Sequence, residues 1–146
     1  LEAEVLLLIV GTIALGVAME KTGATKLYAD FFIGMFQGLG PSYVLAGIIL
    51  LTSICTHVLS NNATAVLLVP IAISTAVSLG VNPKPFIIGI CFGASACFAS
   101  PIGYQTNLLV YGPGRYRFLD YLKLGMPLNI LVIVMGSIFI PLIWQF

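Results

Sequence analysis

The sequence predicts an all-α integral membrane protein, and its composition and its segment pattern both point to this fold class. Of the 146 residues, 60% are hydrophobic and only 8% are charged. A soluble domain carries roughly 25% charged residues, so this chain is too apolar to be one. The apolar residues form segments of helix length that glycine, proline and charged residues separate. We therefore expect a single transmembrane domain over residues 1–146.

The charge and cysteine content excludes several function classes. The formal net charge is +1 and the charges lie at segment ends, so no nucleic-acid partner is expected. The three cysteines and the single histidine are scattered, which predicts neither a metal site nor a disulfide framework. The chain starts without methionine, so we expect a piece of a longer protein. Its first residues are acidic where a signal peptide would be basic, so residues 1–4 are not expected to begin one.

The first two predicted elements lie before a glycine-proline pair at residues 40–41. Residues 5–19 are predicted to form a short apolar helix that ends at the charged and glycine-containing residues 20–23. Residues 25–39 mix charged residues with large apolar and aromatic ones. This pattern favours a helix in the membrane interface, with its aromatic side chains toward the acyl chains.

A polar turn, Ser60-Asn61-Asn62, joins two apolar segments at residues 43–58 and 63–79. Each segment is about 25 Å long as a helix, against about 30 Å for the hydrocarbon core. Two arrangements fit: two thin spanning helices with a loop in the headgroups, or a helical hairpin that enters and leaves from one side. A surface loop usually has a charge or a glycine, and this turn has neither, which favours the re-entrant hairpin.

Residues 86–112 form a second charge-free segment, which a polar stretch at residues 100–107 interrupts. We expect a half-length helix, an unwound stretch and a resumed helix. The following connection, residues 115–123, is the most basic in the chain, and the positive-inside tendency places it in the cytoplasm. Residues 124–146 are predicted to form a final span, with Trp144 as an interfacial anchor.

Two polar interruptions in apolar segments indicate a binding site at mid-membrane depth. Polar groups without partners are costly in lipid, so both interruptions need partners. If the hairpin tip meets the break, the helices that end near residues 58 and 99 present carbonyl oxygens, which suit a cation. The helices that start near residues 63 and 106 present N–H groups, which suit an anion. Neither segment contains Lys or Arg, so dipoles, hydroxyls and amides would hold the anion.

The same residues also have purely structural interpretations. The polar turn closes a pair of packed helices in this view, and Pro101 is an ordinary kink of a membrane helix. Asn62 and Thr64 are expected either to cap the second hairpin helix or to bind a ligand. His57 is expected to be a packed residue with satisfied hydrogen bonds.

The polar motifs resemble those of a known transporter family. They are similar to the second half of the divalent anion:sodium symporter family, of solute carrier family 13 type, in the ion transporter superfamily. The most similar branch is the sulfate-transporter-like one with potassium-transport-type regulatory domains, and the resemblance covers nearly the whole chain. The motifs are Glu20-Lys21-Thr22-Gly23, Ser60-Asn61-Asn62-Ala63-Thr64-Ala65 and Ser100-Pro101-Ile102-Gly103-Tyr104-Gln105-Thr106-Asn107-Leu108-Leu109-Val110-Tyr111-Gly112.

The resemblance implies the second inverted repeat of an elevator-type secondary transporter, with a re-entrant helical hairpin and a broken transmembrane helix. Ser60 and Asn61 match the first two positions of the family's Ser-Asn-Thr signature, and Asn62 replaces the third. Ser100-Pro101 stands where many members have Thr-Pro.

The predicted function is sodium-coupled symport of a small anion, such as sulfate, citrate or a dicarboxylate, across a bacterial cytoplasmic membrane, and no enzyme activity is expected. The expected partners are the solute, the lipid bilayer, the N-terminal half of the same transporter and a second copy in a homodimer. The candidate substrate-binding residues are Ser60, Asn61, Asn62, Thr64, Ser100, Thr106 and Asn107. The candidate sodium ligands are Ser60, Asn61, Ser100 and Gly103.

Three alternative functions fit parts of the sequence. An arsenite or sodium/proton exchanger of the same superfamily shares such hairpins, but proton exchange favours a buried acidic residue that neither segment contains. An intramembrane enzyme needs an activated nucleophile, yet Ser95 and Ser100 have only His57 as a base, without a Gly-x-Ser-x-Gly turn or a metal-binding pair. A structural subunit that transports nothing leaves both polar breaks unexplained.

Overall fold

The computed structural model describes residues 10, 11, 14, 17, 18, 21–35, 40–101 and 103–146. All regular secondary structure in these ranges is α-helical, which confirms the predicted class. The helices are α1 (Ala24–Met35), α2 (Pro41–Thr56), α3 (Asn61–Leu79), α4 (Lys84–Ser95), α5 (Gln105–Tyr111) and α6 (Phe118–Ile143). The predicted helix at residues 5–19 lies partly outside the described residues, and those described between 10 and 21 are helical.

Helix α1 follows a turn at Gly23, whose φ of +74° is a conformation that favours glycine. It packs against α3. Leu27, Phe31 and Met35 follow one another at four-residue spacing and are all exposed. They form an apolar stripe along one face, in agreement with the amphipathic pattern predicted for this helix.

Helices α2 and α3, which a short turn joins, correspond to the two segments of the predicted hairpin. Pro41 begins α2, where its missing N–H costs no hydrogen bond, and α2 ends at Thr56. Residues 57–60 turn the chain. Helix α3 starts at Asn61, two residues earlier than expected, continues through Pro70 and ends at Gly80, which has a φ of +68°. Asn61 and Asn62 are therefore helical rather than part of the turn.

Helix α4 packs closely on α2 through two glycines one turn apart. A Cβ on Gly89 would lie 2.7 Å from Leu45 Cδ1, and one on Gly93 would lie 2.8 Å from the Ile49 carbonyl oxygen. The absence of side chains at these positions therefore lets the two backbones approach each other. The core of the described residues lies around this contact and consists of Val44, Leu45, Ile48, Ile49, Leu68, Ala72, Ala76, Phe86, Ile90 and Ile140.

The predicted break in the second segment is present, but its limits differ from the expected ones. Helix α4 ends at Ser95, four residues before the predicted end, and the described residues between 96 and 104 are not helical. Helix α5 then resumes for seven residues. The polar stretch predicted as the break, residues 100–107, thus forms its second half and the first turn of α5.

Helix α6 begins at Phe118, six residues before the predicted span, and ends at Ile143. The backbone N–H of Arg117 donates to the Asp120 carboxylate at 2.8 Å, and a carboxylate in the first turn stabilises a helix N-terminus. Asp120 and Lys123 therefore belong to the helix rather than to the basic connection.

Two described helices are long and apolar enough to cross a membrane: Asn61–Leu79 and Phe118–Ile143. Helix α2, at 16 residues, falls short of that length. Helix α6 has many exposed apolar side chains on the described structure, among them Leu124, Leu131, Ile138 and Leu142. These surfaces suit lipid or further protein rather than water.

Candidate functional site

The hairpin tip is capped by Ser60. Its hydroxyl accepts a hydrogen bond from the Ala63 N–H at 3.3 Å, and its extended backbone is that of a helix N-cap. The cap was predicted at Asn62 or Thr64, which is wrong because α3 starts earlier and both residues lie inside the helix. Ser60 and Asn62 are exposed, so both side chains are accessible in the described structure.

The last turn of α2 connects the tip to the break through Thr56, which is fully buried. Thr56 Oγ1 lies 2.8 Å from Asn61 Oδ1 and 2.8 Å from the Ala94 carbonyl oxygen. One hydroxyl proton serves only one of these two acceptors at a time. Three oxygen atoms from three different elements therefore converge on a single proton, which is an electron-rich arrangement.

Hydroxyl groups of α2 explain why α4 ends at Ser95. The last carbonyls of a helix have no partner within the helix. Thr56 donates to the Ala94 carbonyl, and Ser53 Oγ donates to the Ala96 carbonyl at 3.1 Å. These side-chain donors replace the N–H groups that a continued helix would supply, so the chain can leave the helix at this point.

The break lies directly against the end of α2. Cys97 Sγ donates to the Thr56 carbonyl oxygen at 3.2 Å. A Cβ on Gly103 would overlap both that oxygen and Cys97 Sγ, so only glycine fits there. The structure thus places the break against the last turn of α2, and contact between hairpin and break was the condition for a shared binding site.

Asn107 holds the break at two points, near its start and near its middle. Its Nδ2 donates to the Cys97 carbonyl at 3.1 Å and to the Ser100 carbonyl at 3.2 Å. The backbone carbonyl of Asn107 accepts a hydrogen bond from the Tyr121 hydroxyl of α6 at 3.0 Å. Asn107 therefore fixes the shape of the break.

Thr64 is fully buried, and its Oγ1 has no hydrogen-bond partner among the described residues. A buried hydroxyl without a partner costs about 1 to 3 kcal/mol. Such a group is expected to have a functional or structural reason. Thr64 lies one helical turn after Ser60, on the hairpin side of the junction.

Apart from the buried Thr64, the predicted site residues fall into two groups. Asn61, Ser100, Gly103 and Asn107 lie at or beside the contact between hairpin and break. The exposed residues of the predicted set are Ser60 and Asn62 at the hairpin tip and Thr106 in the first turn of α5.

Sequence reasoning missed four polar residues that build the junction: Ser53, Thr56, Cys97 and Asn129. A signal was present, because Ser53 and Thr56 share one face of an apolar helix at three-residue spacing. Asn129 is the amide in the middle of an otherwise apolar span, and Phe98 donates its N–H to Asn129 Oδ1 at 3.2 Å.

The described residues contain no group of three or more His, Cys, Asp or Glu side chains that could hold a metal ion. The oxygen atoms at the junction belong to hydroxyl, amide and carbonyl groups. Such oxygens are ligands for hard cations rather than for transition metals.

The model of a family described as citrate transporter matches residues 1–146. The chain belongs to the citrate transporter family. The three relatives described next are named as transporters, and this agrees with the family resemblance of the motifs and with the prediction that the chain is not an enzyme. Membership of this family and the two apolar helices of membrane-spanning length indicate that the chain is part of a membrane protein.

Three relatives illustrate the range of similarity. An uncharacterized transporter of Synechocystis is 44% identical over 141 residues, and one of Escherichia coli is 38% identical over 141 residues. Both alignments cover 97% of this chain and 23% of the relative. Sodium/sulfate cotransporter 1 of Chlamydomonas reinhardtii is 34% identical over 139 residues, 94% of this chain and 16% of that protein. The chain therefore spans about a quarter or less of the length of these relatives.

Proposed function

We propose that this chain is part of a sodium-coupled symporter for a small anion, such as sulfate or a di- or tricarboxylate. The observation that carries the proposal is the convergence of Thr56, Asn61 and Ala94 oxygens where the hairpin meets the break. Family membership and a sodium/sulfate cotransporter among the relatives support it.

We assign the coupling ion to the junction because the Thr56 hydroxyl has one proton for two acceptors, Asn61 Oδ1 and the Ala94 carbonyl oxygen. A sodium ion would satisfy the acceptor that the Thr56 hydroxyl leaves without a proton. Unwound carbonyls and helix C-termini are the usual sodium ligands in transporters with broken helices. The proposed ligand set consists of Ser60, Asn61, Ser100 and Gly103, with Thr56 as their neighbour.

The anion is assigned to the N-terminus of α3. This 19-residue helix directs its first N–H groups and the positive end of its dipole toward the tip. Asn62 is exposed there, and Thr64 has a buried hydroxyl that lacks a partner among the described residues. Ser100, Thr106 and Asn107 are proposed to complete the substrate site from the break.

The architecture belongs to the same proposal. We infer that α2 and α3 form a re-entrant hairpin and that α4, the break and α5 form a broken helix of an inverted-repeat, elevator-type transporter. The length of α2, about 24 Å against a core of about 30 Å, supports the hairpin, whereas α3 has the length of a span, so the length argument applies to α2 alone. The proposed partners are the remaining half of the transporter and a second copy, in a bacterial cytoplasmic membrane.

Uptake by the full-length protein in proteoliposomes tests this function. Sulfate, citrate, dicarboxylates and arsenite are offered with an inward sodium gradient or with sodium replaced by choline. We expect one class of anion to be taken up only with sodium. Asn61→Ala should raise the sodium concentration for half-maximal uptake by about tenfold, because a ligand oxygen is lost.

Asn82→Ala is the matched control. Asn82 is a loop residue whose side chain accepts from the Lys84 N–H, far along the chain from the junction. It should leave the sodium dependence unchanged. Uptake that runs equally well without sodium and follows a pH gradient would contradict sodium coupling.

A further inference from the structure

Asn129 is the buried amide of α6 and makes two hydrogen bonds outside its own helix. Only 4% of its surface is exposed. Its Oδ1 accepts from the Phe98 N–H at 3.2 Å, and its Nδ2 lies 2.8 Å from His57 Nε2. Asn129 therefore joins α6 to the break and to the end of the hairpin helix α2.

The direction of these hydrogen bonds is fixed by the two backbone groups at the ends. The Phe98 N–H can only donate, so it must face the oxygen of Asn129. The nitrogen of Asn129 then donates to His57 Nε2. His57 Nδ1 contacts the Ser53 carbonyl, which can only accept, so Nδ1 carries the proton of a neutral ring.

Each donor in this series thus faces an acceptor, from Phe98 through Asn129 and His57 to Ser53. Hydrogen bonds in such a series polarise one another and strengthen the whole. An extra proton on His57 Nε2 would face the amide N–H of Asn129 and break the series. The arrangement therefore needs a neutral His57.

Helix α6 approaches both backbone polar groups of Phe98, its N–H and its carbonyl. Gly125, one turn before Asn129, lies so close that a Cβ there would overlap the Phe98 carbonyl. Asn129 takes the Phe98 N–H. Helix α6 therefore anchors the break at Phe98. This position lies between Cys97 and Ser100, whose carbonyls accept hydrogen bonds from Asn107.

We propose that Asn129 is a positioning residue that, through the Phe98 N–H and neutral His57, holds the break in the shape that binds sodium and the anion. This rests on the proposed function, since the break is part of the same site. Asn129 itself touches neither ion nor solute. It acts by fixing the break relative to the hairpin.

Among the described residues, none of the titratable groups on the elements near His57 makes a hydrogen bond to its ring, whose two partners are Ser53 and Asn129. The charged ones lie in the first two turns of α6, with Lys123 about 9 Å along the helix axis from Asn129. The others are phenols and thiols. The full set on α2, the break and the N-terminal part of α6 is Tyr43, Cys55, Cys97, Tyr104, Asp120, Tyr121 and Lys123.

The first experiment compares Asn129→Leu and Asn129→Asp in the full-length transporter over a range of pH. Asn129→Leu loses both hydrogen bonds, and we expect kcat/KM for sodium-driven sulfate or citrate uptake to fall about tenfold or more at every pH. In Asn129→Asp, one carboxylate oxygen accepts from the Phe98 N–H. The other accepts from His57 Nε2 when the ring carries an extra proton. Both hydrogen bonds of Asn129 are then replaced. We expect near wild-type uptake at low pH and a loss of about tenfold or more as the carboxylate and His57 together release this proton.

The double variant His57→Gln with Asn129→Asp removes the titrating ring. A glutamine amide donates to the carboxylate without a proton exchange, so any remaining pH dependence comes from the buried carboxyl group alone and should differ from that of Asn129→Asp. If Asn129→Asp shows the same loss at all pH values as Asn129→Leu, the positioning role is overturned. Full uptake by Asn129→Leu overturns it as well.

A second readout separates this proposal from the function on which it rests. Deuterium exchange by mass spectrometry on the full-length protein should show faster exchange over residues 96–104 in Asn129→Leu. Ser137→Ala is the control, because the Ser137 hydroxyl donates to the Ile133 carbonyl of its own helix. Unchanged exchange in Asn129→Leu refutes the positioning role, whereas faster exchange without any sodium-driven uptake in the wild type refutes the proposed function alone.

Discussion

At the scale of single residues, the Thr56 hydroxyl connects the hairpin to the break. It is fully buried and lies within hydrogen-bond distance of one side-chain oxygen and one backbone oxygen from separate elements. Removing a buried donor leaves its acceptors without a partner, which costs more than the bond itself contributes. The hydroxyl is therefore expected to matter for both stability and ion affinity.

Thr56→Val keeps the shape of the side chain and removes only the hydroxyl. We expect the free energy of unfolding to fall by about 1 to 3 kcal/mol and the apparent sodium affinity to fall by about tenfold. Thermal unfolding of the purified transporter and the sodium dependence of uptake measure these effects.

The control for Thr56→Val is Thr75→Val. Thr75 is also fully buried, but its hydroxyl donates at 2.8 Å to the Ile71 carbonyl within its own helix. Its loss should leave the sodium dependence unchanged. An equal shift in sodium affinity for both variants would mean that Thr56 has no special position at the site.

At the scale of elements, the contact between α2 and α4 fixes the distance between the hairpin and the break. Gly93 lies at this contact, and a Cβ there would be 2.8 Å from the Ile49 carbonyl oxygen and 2.8 Å from Thr52 Cβ. Because one of these atoms is backbone, relief requires a shift of the whole helix.

Gly93→Ala should therefore destabilise the protein by about 1 to 3 kcal/mol, since overpacking outweighs the better helix propensity of alanine. Gly34→Ala in α1 is the matched control. Nothing lies within 4 Å of a Cβ on Gly34, so alanine should stabilise the helix by about 0.5 to 1 kcal/mol. Opposite signs of the change in unfolding temperature are expected, and a stabilising Gly93→Ala would refute the close packing.

The order of the helices followed from the sequence, but several of their ends did not. Pro41, Gly80 and the charge-free segments between them carry local signals, and these signals placed the hairpin. The end of α4 depends on Ser53 and Thr56 of another helix, and no local pattern in residues 84–99 contains that information.

The residues at the contact between hairpin and break were predictable to a similar extent. Asn61, Ser100 and Gly103 were singled out because polar and glycine residues stand out in an apolar segment. Asn129 also stands out, yet its role depends on His57 and Phe98, which are 72 and 31 residues away along the chain. Such pairs form only in the folded protein.

At the scale of the whole molecule, the basic connection predicts the orientation in the membrane. Arg115 and Arg117 are exposed between α5 and α6, and the positive-inside tendency places them in the cytoplasm. If α4, the break and α5 cross the bilayer once, Pro41 and Pro83 face outside.

Single cysteines introduced into the full-length protein on a cysteine-free background test this topology. A cysteine in place of Lys84, which is exposed, should react in sealed cells with a membrane-impermeant thiol reagent. A cysteine in place of Arg117 should react only after permeabilisation. Labelling of the Arg117 position from outside would reverse the orientation.

The length of the chain relative to its family leads to a prediction about the isolated piece. Residues 1–146 cover 23% of the Synechocystis and Escherichia coli relatives. In an inverted-repeat transporter, the site lies between two repeats, so one repeat supplies only half of the ligands. The exposed apolar side chains of α6 would also lose any protein partner and face lipid.

We expect residues 1–146 to insert into liposomes without saturable, sodium-driven anion uptake. Co-expression with the remainder of the transporter should restore uptake, because the two halves then form the site together. Saturable uptake by the isolated piece would instead show that its hairpin and break suffice, and the inverted-repeat proposal would be wrong.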